Sequence, residues 1–369
     1  MKTKYSIVKE HVLSKILDGT YRPHEKISSE SELMDQFGVS RHTIRLAIGD
    51  LVTEGWLYRQ QGSGTYCADK MTQSDSQQSK SIAIVATYIS DYIFPSIIHG
   101  AESYLSKNGY QVSLFSTNHD IERERSILES ILKQDYDGVI IEPTKSAISN
   151  PNIKYYINLE SKGIPYVMVN AYYEELDPYS LTVDDERGGY LQTEHLIKQD
   201  HKDIVGFFKE DDLQGIRRMK GFIKAHRDYG ITLNHKNIVT YDSSNRKVKP
   251  KEYLADILSR DQKPTGLVSY NDQIALYLLD VIREKNLKVP EDISLVGFDD
   301  SFLAELSEVK LTTVTHPQNV MGMKSAEMIL RLANQKLNNT KSEDVKSIVY
   351  EPKLIIREST GTCPNVIKK

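Results

Sequence analysis

Cysteine is almost absent: Cys67 and Cys363 are the two in 369 residues, and they lie far apart. That count argues against a disulfide framework and a clustered thiolate metal site, so both are expected as free thiols, with Cys67 packed in a strand. Long apolar runs are lacking as well. No stretch of about 18 uncharged apolar residues occurs, which leaves no candidate membrane span. The N-terminal text, MKTKYSIVKEHVLSK, carries charges where an export signal needs an apolar run. The expected location is therefore the cytoplasm, with no membrane partner. Neither charge sign dominates, and a net of -4 argues against a nonspecific polycation. Catalytic signatures are missing too: the sequence has no P-loop, no zinc-protease His-Glu-x-x-His pair and no serine nucleophile elbow. The expectation is a chain with no catalytic residues, no metal and no cofactor.

What is present fits a globular protein, with 39% hydrophobic and 27% charged residues, and a length that predicts two or three folding units. Residues 1–70 hold ten Lys or Arg against nine Asp or Glu, and the remainder 37 against 42, so the sign of the charge changes between them. From Ala68 to Lys80 the text ADKMTQSDSQQSK is rich in Ser, Gln and Asp, the composition of a linker. The expected organisation is a first domain at 1–68, a linker at 69–80 and a second domain at 81–369.

In the first domain, Tyr5, Val8, Val12 and Ile16 recur at helical spacing and Gly19 follows as a stop. Ser29 with Glu32 has the spacing of a reciprocal cap, Leu33 and Phe37 face inward, and Gly38 can end that helix in a left-handed conformation. Ser40 caps a second helix with an apolar stripe of Ile44, Ala47, Ile48 and Leu51. On its outer face Arg41 and Arg45 stand four apart near the N-terminus, the end that enters the major groove in helix-turn-helix proteins. An isolated Arg pair is more often a solvated, salt-bridged surface. Here residues 56–59 and 61–66 read as two short strands around a Gly-rich turn, a wing whose small tip lets backbone N–H groups approach phosphates. Gly62 and Gly64 lack the third glycine and preceding strand of a dinucleotide fingerprint.

After the linker, short apolar runs at 82–88, 111–115, 138–141, 166–169, 204–208, 238–241, 266–269 and 294–297 alternate with helix-length segments. Strands continuous in Ile and Val within a βα series require a parallel sheet covered on both faces. Two doubly wound lobes or a closed eight-stranded barrel would both accommodate them.

Residues 27–66 resemble the GntR family of winged-helix regulators. The family's Pro-Ser-Glu is here Ser28-Ser29-Glu30, and its Val-Ser-Arg and Gly-x-Gly-Thr patterns are present at 39–41 and 62–65. The resemblance implies DNA contacts from Glu30, Ser40, Arg41, Thr43 and Arg45 and from Gln61, Gly62, Ser63 and Gly64 of the wing, on a two-fold operator bound by a homodimer. From Lys80 onward the chain resembles the LacI/GalR sensor, itself similar to periplasmic sugar-binding proteins. The marks are Phe94-Pro95, Arg218 to Phe222, Tyr270 to Ala275, and Val289 to Asp300. That resemblance implies two lobes rather than a barrel, with crossings near 180–185 and 311–317.

The implied fold is α/β: a winged helix-turn-helix followed by a two-lobed periplasmic-binding-protein-like domain with doubly wound parallel sheets. Its ligand belongs between the lobes, beyond the carboxyl ends of the strands. A sugar's hydroxyls need carboxylate and Arg partners and an aromatic wall. Arg218 and Asp272 occupy the resembled family's contact positions. Glu142 and Asn170 end strands that point to the cleft, and Tyr92 and Phe94 could supply the wall, although loop packing or helix capping would explain those four equally well. Asp299 and Asp300 read as turn residues. Across nearly the full chain the text resembles arabinose-responsive repressors, which implies L-arabinose as effector. Sugar as inducer is expected from the resemblance. A co-repressed regulator would use the same residues, and a transport protein or a sugar-processing enzyme using Glu142, Asp299, Asp300 or His316 is a weaker alternative.

Overall fold

The computed structural model describes residues 3–69, 80–338 and 345–364, so most of the expected linker, 70–79, lies outside the described residues. Helix α1 (Lys4–Leu17) starts at Thr3, whose hydroxyl accepts the Ser6 N–H, and buries Val8, Val12, Ile16 and Leu17. Helix α2 (Glu30–Phe37) carries the reciprocal cap of Ser29 and Glu32, and Gly38 ends it at φ 59°. Helix α3 (Arg41–Thr53) begins at Ser40 and buries Ile44, Ala47, Ile48 and Leu51. Strands β1 (Leu57–Gln60) and β2 (Gly64–Cys67) pair antiparallel as the wing. Cys67 is buried at the end of β2, and Cys363 is also a buried free thiol.

The remainder runs β3 (Ser81–Ala86), α4 (Phe94–Lys107), β4 (Gln111–Ser116), α5 (Ile121–Lys133), β5 (Gly138–Ile141), α6 (Ile153–Ser161), β6 (Tyr166–Val169) and β7 (Ser180–Val183). It continues through α7 (Asp185–Lys198), β8 (Ile204–Lys209), α8 (Leu213–Asp228), β9 (Ile238–Tyr241), α9 (Lys249–Ile257), β10 (Gly266–Ser269), α10 (Asp272–Glu284) and β11 (Ser294–Val296). It closes with α11 (Phe302–Leu306), β12 (Thr313–Val314), α12 (Gln318–Asn338), β13 (Ile348–Tyr350) and β14 (Leu354–Ile355). A six-stranded sheet in the order β13-β7-β6-β5-β3-β4 forms the first lobe, and a four-stranded sheet, β11-β10-β8-β9, forms the second. Pairing within both sheets is parallel.

Strand alternation explains the continuous apolar runs. Ala83, Val85, Val139, Ile141 and Met168 pack on the α5–α6 side, while Ile82, Ile84, Ile140 and Val167 pack on the α4–α12 side. The second lobe divides likewise, Val205 and Phe207 going to one layer and Ile204 and Phe208 to the other. Every side chain of such a strand leaves water, so none needs to be polar.

The chain passes between lobes after β7 and again after β12, close to the expected places. A third passage follows β13, because β14 pairs with β12 and the Leu295 N–H donates to the Ser359 carbonyl at 2.8 Å. Helices α7 and α8 touch through glycine. A Cβ on Gly221 would stand 2.0 Å from the Glu186 carbonyl oxygen, and one on Gly189 2.1 Å from that of Arg218. Backbone blocks both positions, so a methyl group must push the helices apart. Gly221→Ala is expected to cost about 1–3 kcal/mol, read from urea unfolding of the full chain; an unchanged midpoint would mean that the contact is dispensable.

Candidate functional site

Two surfaces hold the residues singled out from sequence. On the first, Arg41 and Arg45 project from the start of α3 with side chains 58% and 62% exposed. Glu30 accepts from the Arg45 Nε at 3.0 and 3.1 Å and lies 3.9 Å from the Arg41 Nε. The terminal N–H groups of Arg45, the edge that would meet guanine O6 and N7, make no hydrogen bond among the described residues, and Glu30 fixes the opposite edge of the guanidinium. Ser40 is occupied as the α3 cap, its hydroxyl 3.0 Å from that of Thr43. At the wing, Gln61, Gly62 and Gly64 are exposed, while the Ser63 hydroxyl is engaged by Tyr66. Gly62 and Gly64 have φ of 75° and 134°, and a Cβ on Gly64 would meet Lys26 Cε at 2.6 Å. The exposed Lys26 brings a cation to the wing that sequence reading overlooked.

The second surface is a cleft between the lobes, lined by loops at the carboxyl ends of the strands. Tyr92, Phe94, Glu142, Asn170 and Arg218 all line it. At its floor in the first lobe, Glu142 accepts from the Thr87 N–H at 2.9 Å and the Asn170 amide at 3.0 Å, and also pairs with the Thr87 hydroxyl. Burial pushes its carboxyl above the usual range, and those bonds pull the other way. Asn170 in turn meets His316 at 3.0 Å. Burial lowers His316 to about 4, so its ring is neutral.

Across the cleft, Arg218 donates from Nε to Asp185 at 2.8 Å and from Nη1 to the Tyr270 carbonyl at 2.7 Å, with Asp299 at 3.5 Å from Nη2. Its guanidinium lies 3.5 Å from the centre of the Phe298 ring. Burial pushes Asp185 up to about 6, although Arg218 opposes the shift. Lys209, at the end of β8, pairs with Asp212 at 2.9 Å and approaches His119 at 3.5 Å. Burial disfavours the ammonium, but Asp212 and Asp211 outweigh it and raise its pKa. Tyr92 bridges the lobes, its hydroxyl donating to the Phe298 carbonyl and accepting the Asp272 N–H, each at 3.1 Å. Arg246 adds a second bridge, 3.6 Å from Asp91 and stacked 4.7 Å over Tyr88.

Among the described residues, three buried polar atoms lining the cleft have no hydrogen-bond partner: Nδ1 of His119, Nδ1 of His316 and the Tyr241 hydroxyl. Burial lowers His119 to about 3, so this ring too is neutral and each imidazole can accept as well as donate. Buried polar groups without partners are costly, so a small molecule carrying several hydroxyls suits the space.

Residues 4–67 match the gntR family of bacterial regulatory proteins, and residues 193–360 match the periplasmic binding protein-like domain. An arabinose metabolism transcriptional repressor of Halalkalibacterium halodurans is 56% identical over 98% of this chain and 97% of its own length. The chain belongs to the arabinose metabolism transcriptional repressors. A repressor of the same name from Geobacillus stearothermophilus is 46% identical over 97% of each. Among solved structures, a LacI family transcriptional regulator from Enterococcus faecium with bound ribose aligns at a TM-score of 0.64 and 25% identity, covering 77% of this chain and 99% of that one. The fold is thus a GntR winged helix joined to a LacI-type sensor, and the chain is a DNA-binding, sugar-responsive repressor.

One expected contact of the repressor is placed elsewhere. Asp272 is fully buried beneath the cleft and does not line it; its carboxylate accepts from the Ser301 N–H at 2.8 Å, the Ser301 hydroxyl at 2.9 Å and the Thr313 hydroxyl at 2.6 Å. Gly297 leaves it room, since a Cβ there would stand 2.1 Å from Oδ1. Asp272, the first residue of α10, therefore ties the start of α11 to β12 under the pocket. Asp272→Ala would strip three buried donors of their acceptor, and a loss of about 2–4 kcal/mol is expected from thermal or urea unfolding. Retained stability would return Asp272 to the ligand contacts. Conversely, Asp299 lines the cleft and pairs with Arg218, whereas Asp300 pairs with Arg357 at 2.7 Å as a turn residue. Lys209, Tyr241 and Tyr270 were not among the expected contacts although each ends or directly follows a strand, the rule that selected Glu142 and Asn170.

Proposed function

We propose that the repressor binds a two-fold operator as a homodimer and that L-arabinose, held between its lobes, lowers its affinity for that operator. Residues 1–68 act as the reader, 69–80 as the linker and 81–369 as the sensor and dimerisation domain, and the protein works in the cytoplasm without catalysis. DNA contacts are assigned to Arg41, Arg45, Thr43 and the wing tip, with Glu30 and Ser40 setting their geometry. In the cleft, Glu142 accepts from sugar hydroxyls and Lys209 and Arg218 donate to them. Asn170, His119, His316 and Tyr241 serve the remaining hydroxyls, and Phe94 and Tyr88 cover the C–H face.

The observation that carries this reading is the cleft itself, whose neutral imidazoles and tyrosine offer polar atoms without partners between an arginine and a lysine already held by carboxylates. The name carried by the relatives supplies the sugar. Coupling is reciprocal: release by 100-fold requires about 2.7 kcal/mol of difference in sugar affinity between the DNA-bound and free forms. Fluorescent duplexes from promoters of arabinose-utilisation genes, titrated with the full chain, test the sign. L-arabinose should dissociate the complex, and D-glucose should not. Tighter binding on adding arabinose would make the sugar a co-repressor and overturn the proposal.

A further inference from the structure

The winged helix does not stand clear of the sensor. One continuous apolar cluster includes Val8, Val12, Ile16 and Leu17 of α1 and Ile127, Leu128, Ile131 and Tyr155 of α5 and α6. Polar contacts surround it. Lys154 pairs with Asp18 at 2.7 Å, the Ser14 hydroxyl lies 3.4 Å from that of Tyr155 and 3.5 Å from Glu129, and the Asn158 amide donates to the Leu17 carbonyl. Lys162, just past α6, lies 5.3 Å from the centre of the Trp56 ring. Arg41 and Arg45 stay exposed in this arrangement, so the contact leaves the DNA-reading face open.

The same two helices are tied to the cleft. Glu124, on α5 and fully buried, accepts from the hydroxyls of Tyr156 and Tyr173 at 2.8 and 2.7 Å and from the amides of Asn150 and Asn152 at 2.8 and 2.9 Å. Tyr173 also accepts the Thr144 N–H at 2.8 Å. Thr144 lies two residues beyond Glu142, and the intervening Pro143 lines the cleft. A displacement of the β5 loop thus reaches the start of α6 through one carboxylate. A half-satisfied buried network is costly, so its members shift together.

We propose that the outer face of α5 and α6 is a seat for the chain's own winged helix, and that sugar in the cleft loosens this seat through the Glu124 cluster. The seated reader is held in the orientation that suits a two-fold operator, and the unseated reader is not. The direction of this effect rests on the proposed release by L-arabinose.

Trp56 is the sole tryptophan and sits at the seat, so its quenching by acrylamide reports seating in the intact chain. Lys154→Asp opposes Asp18 with a like charge at a position half exposed to solvent. Quenching without sugar should exceed wild type in this variant, and the double exchange Asp18→Lys with Lys154→Asp should restore it. By linkage, the single variant should bind L-arabinose several-fold more tightly in the absence of DNA and the operator more weakly, a pattern that mere loss of stability does not produce. Saturating L-arabinose should raise Trp56 quenching in wild type. Equal quenching of wild type and Lys154→Asp without sugar would remove the seat. A wild-type chain that arabinose releases from DNA with no change at Trp56 would overturn the coupling while leaving the proposed function intact. A wild-type chain that arabinose does not release would fail the functional reading and the coupling together, and the sugar-free comparison would still decide the seat.

Discussion

Arg218→Ala should give a chain that occupies its operator but no longer responds to L-arabinose, and that unfolds about 3–5 kcal/mol more easily than wild type. Two carboxylates depend on this guanidinium, Asp185 at 2.8 Å and Asp299 at 3.5 Å, and both are buried. Removing the cation strands them in a low dielectric, where the charged form is heavily penalised. A distinctive pH dependence follows. Asp185 already stands at about 6, above its ordinary 3.8, so the folded chain binds the extra proton and stability falls as pH rises between those values. Without Arg218 its folded pKa rises further and the decline extends to higher pH. The stability deficit of Arg218→Ala relative to wild type, read from urea midpoints, should therefore widen as pH rises from 4 to 8. Arg218→Lys keeps the charge but not the forked geometry, and should recover stability better than sugar response. A variant with wild-type stability and normal release by arabinose would remove Arg218 from both roles.

Arg45→Ala should weaken specific operator binding by about 1–3 kcal/mol per site, or roughly 5- to 150-fold, with arabinose affinity unchanged. The expected size follows from geometry: Glu30 holds Nε through both carboxylate oxygens, so the outward edge is organised before DNA arrives. Glu30→Ala should act in the same direction with smaller effect, since it frees the arginine without removing it. Anisotropy with operator and scrambled duplexes at several salt concentrations separates the possibilities. Loss confined to the operator marks base recognition. Equal loss on both duplexes, with a shallower salt slope, would make Arg45 a phosphate contact, and full retained affinity would remove it from the interface.

The legible parts of the sequence were those governed by neighbours in the chain. The Ser29–Glu32 cap, the Gly38 stop and the Ser40 cap form as their spacing predicts, because each bond closes within three or four residues. Eight strands of the two lobes were legible for a related reason: apolar runs stand out, and in β3, β5, β6, β8, β10 and β11 burial on both faces demands them. Strand β7 was missed, and so were β12, β13 and β14. The last three have two or three residues each, too short for periodicity to register, and each is defined by a partner distant in sequence. The third passage between the lobes was missed with them.

The cleft divides in the same way. A rule about strand ends was enough to select Glu142 and Asn170, since direction along a strand is a local property. It could not separate Asp272 from Asp299, both acidic residues just past strand ends. Only packing decides that Asp272 turns under the pocket to serve Ser301 and Thr313 while Asp299 faces Arg218. By itself, then, the order of residues determined a reader with a wing, a doubly covered βα series and the set of side chains near the strand ends. Tertiary structure alone decided which carboxylates are engaged inside the protein, which polar atoms remain without partners, and that α1 rests on α5 and α6. Local bonds are encoded by spacing along the chain, whereas partners separated by a hundred residues meet only after the whole chain has packed.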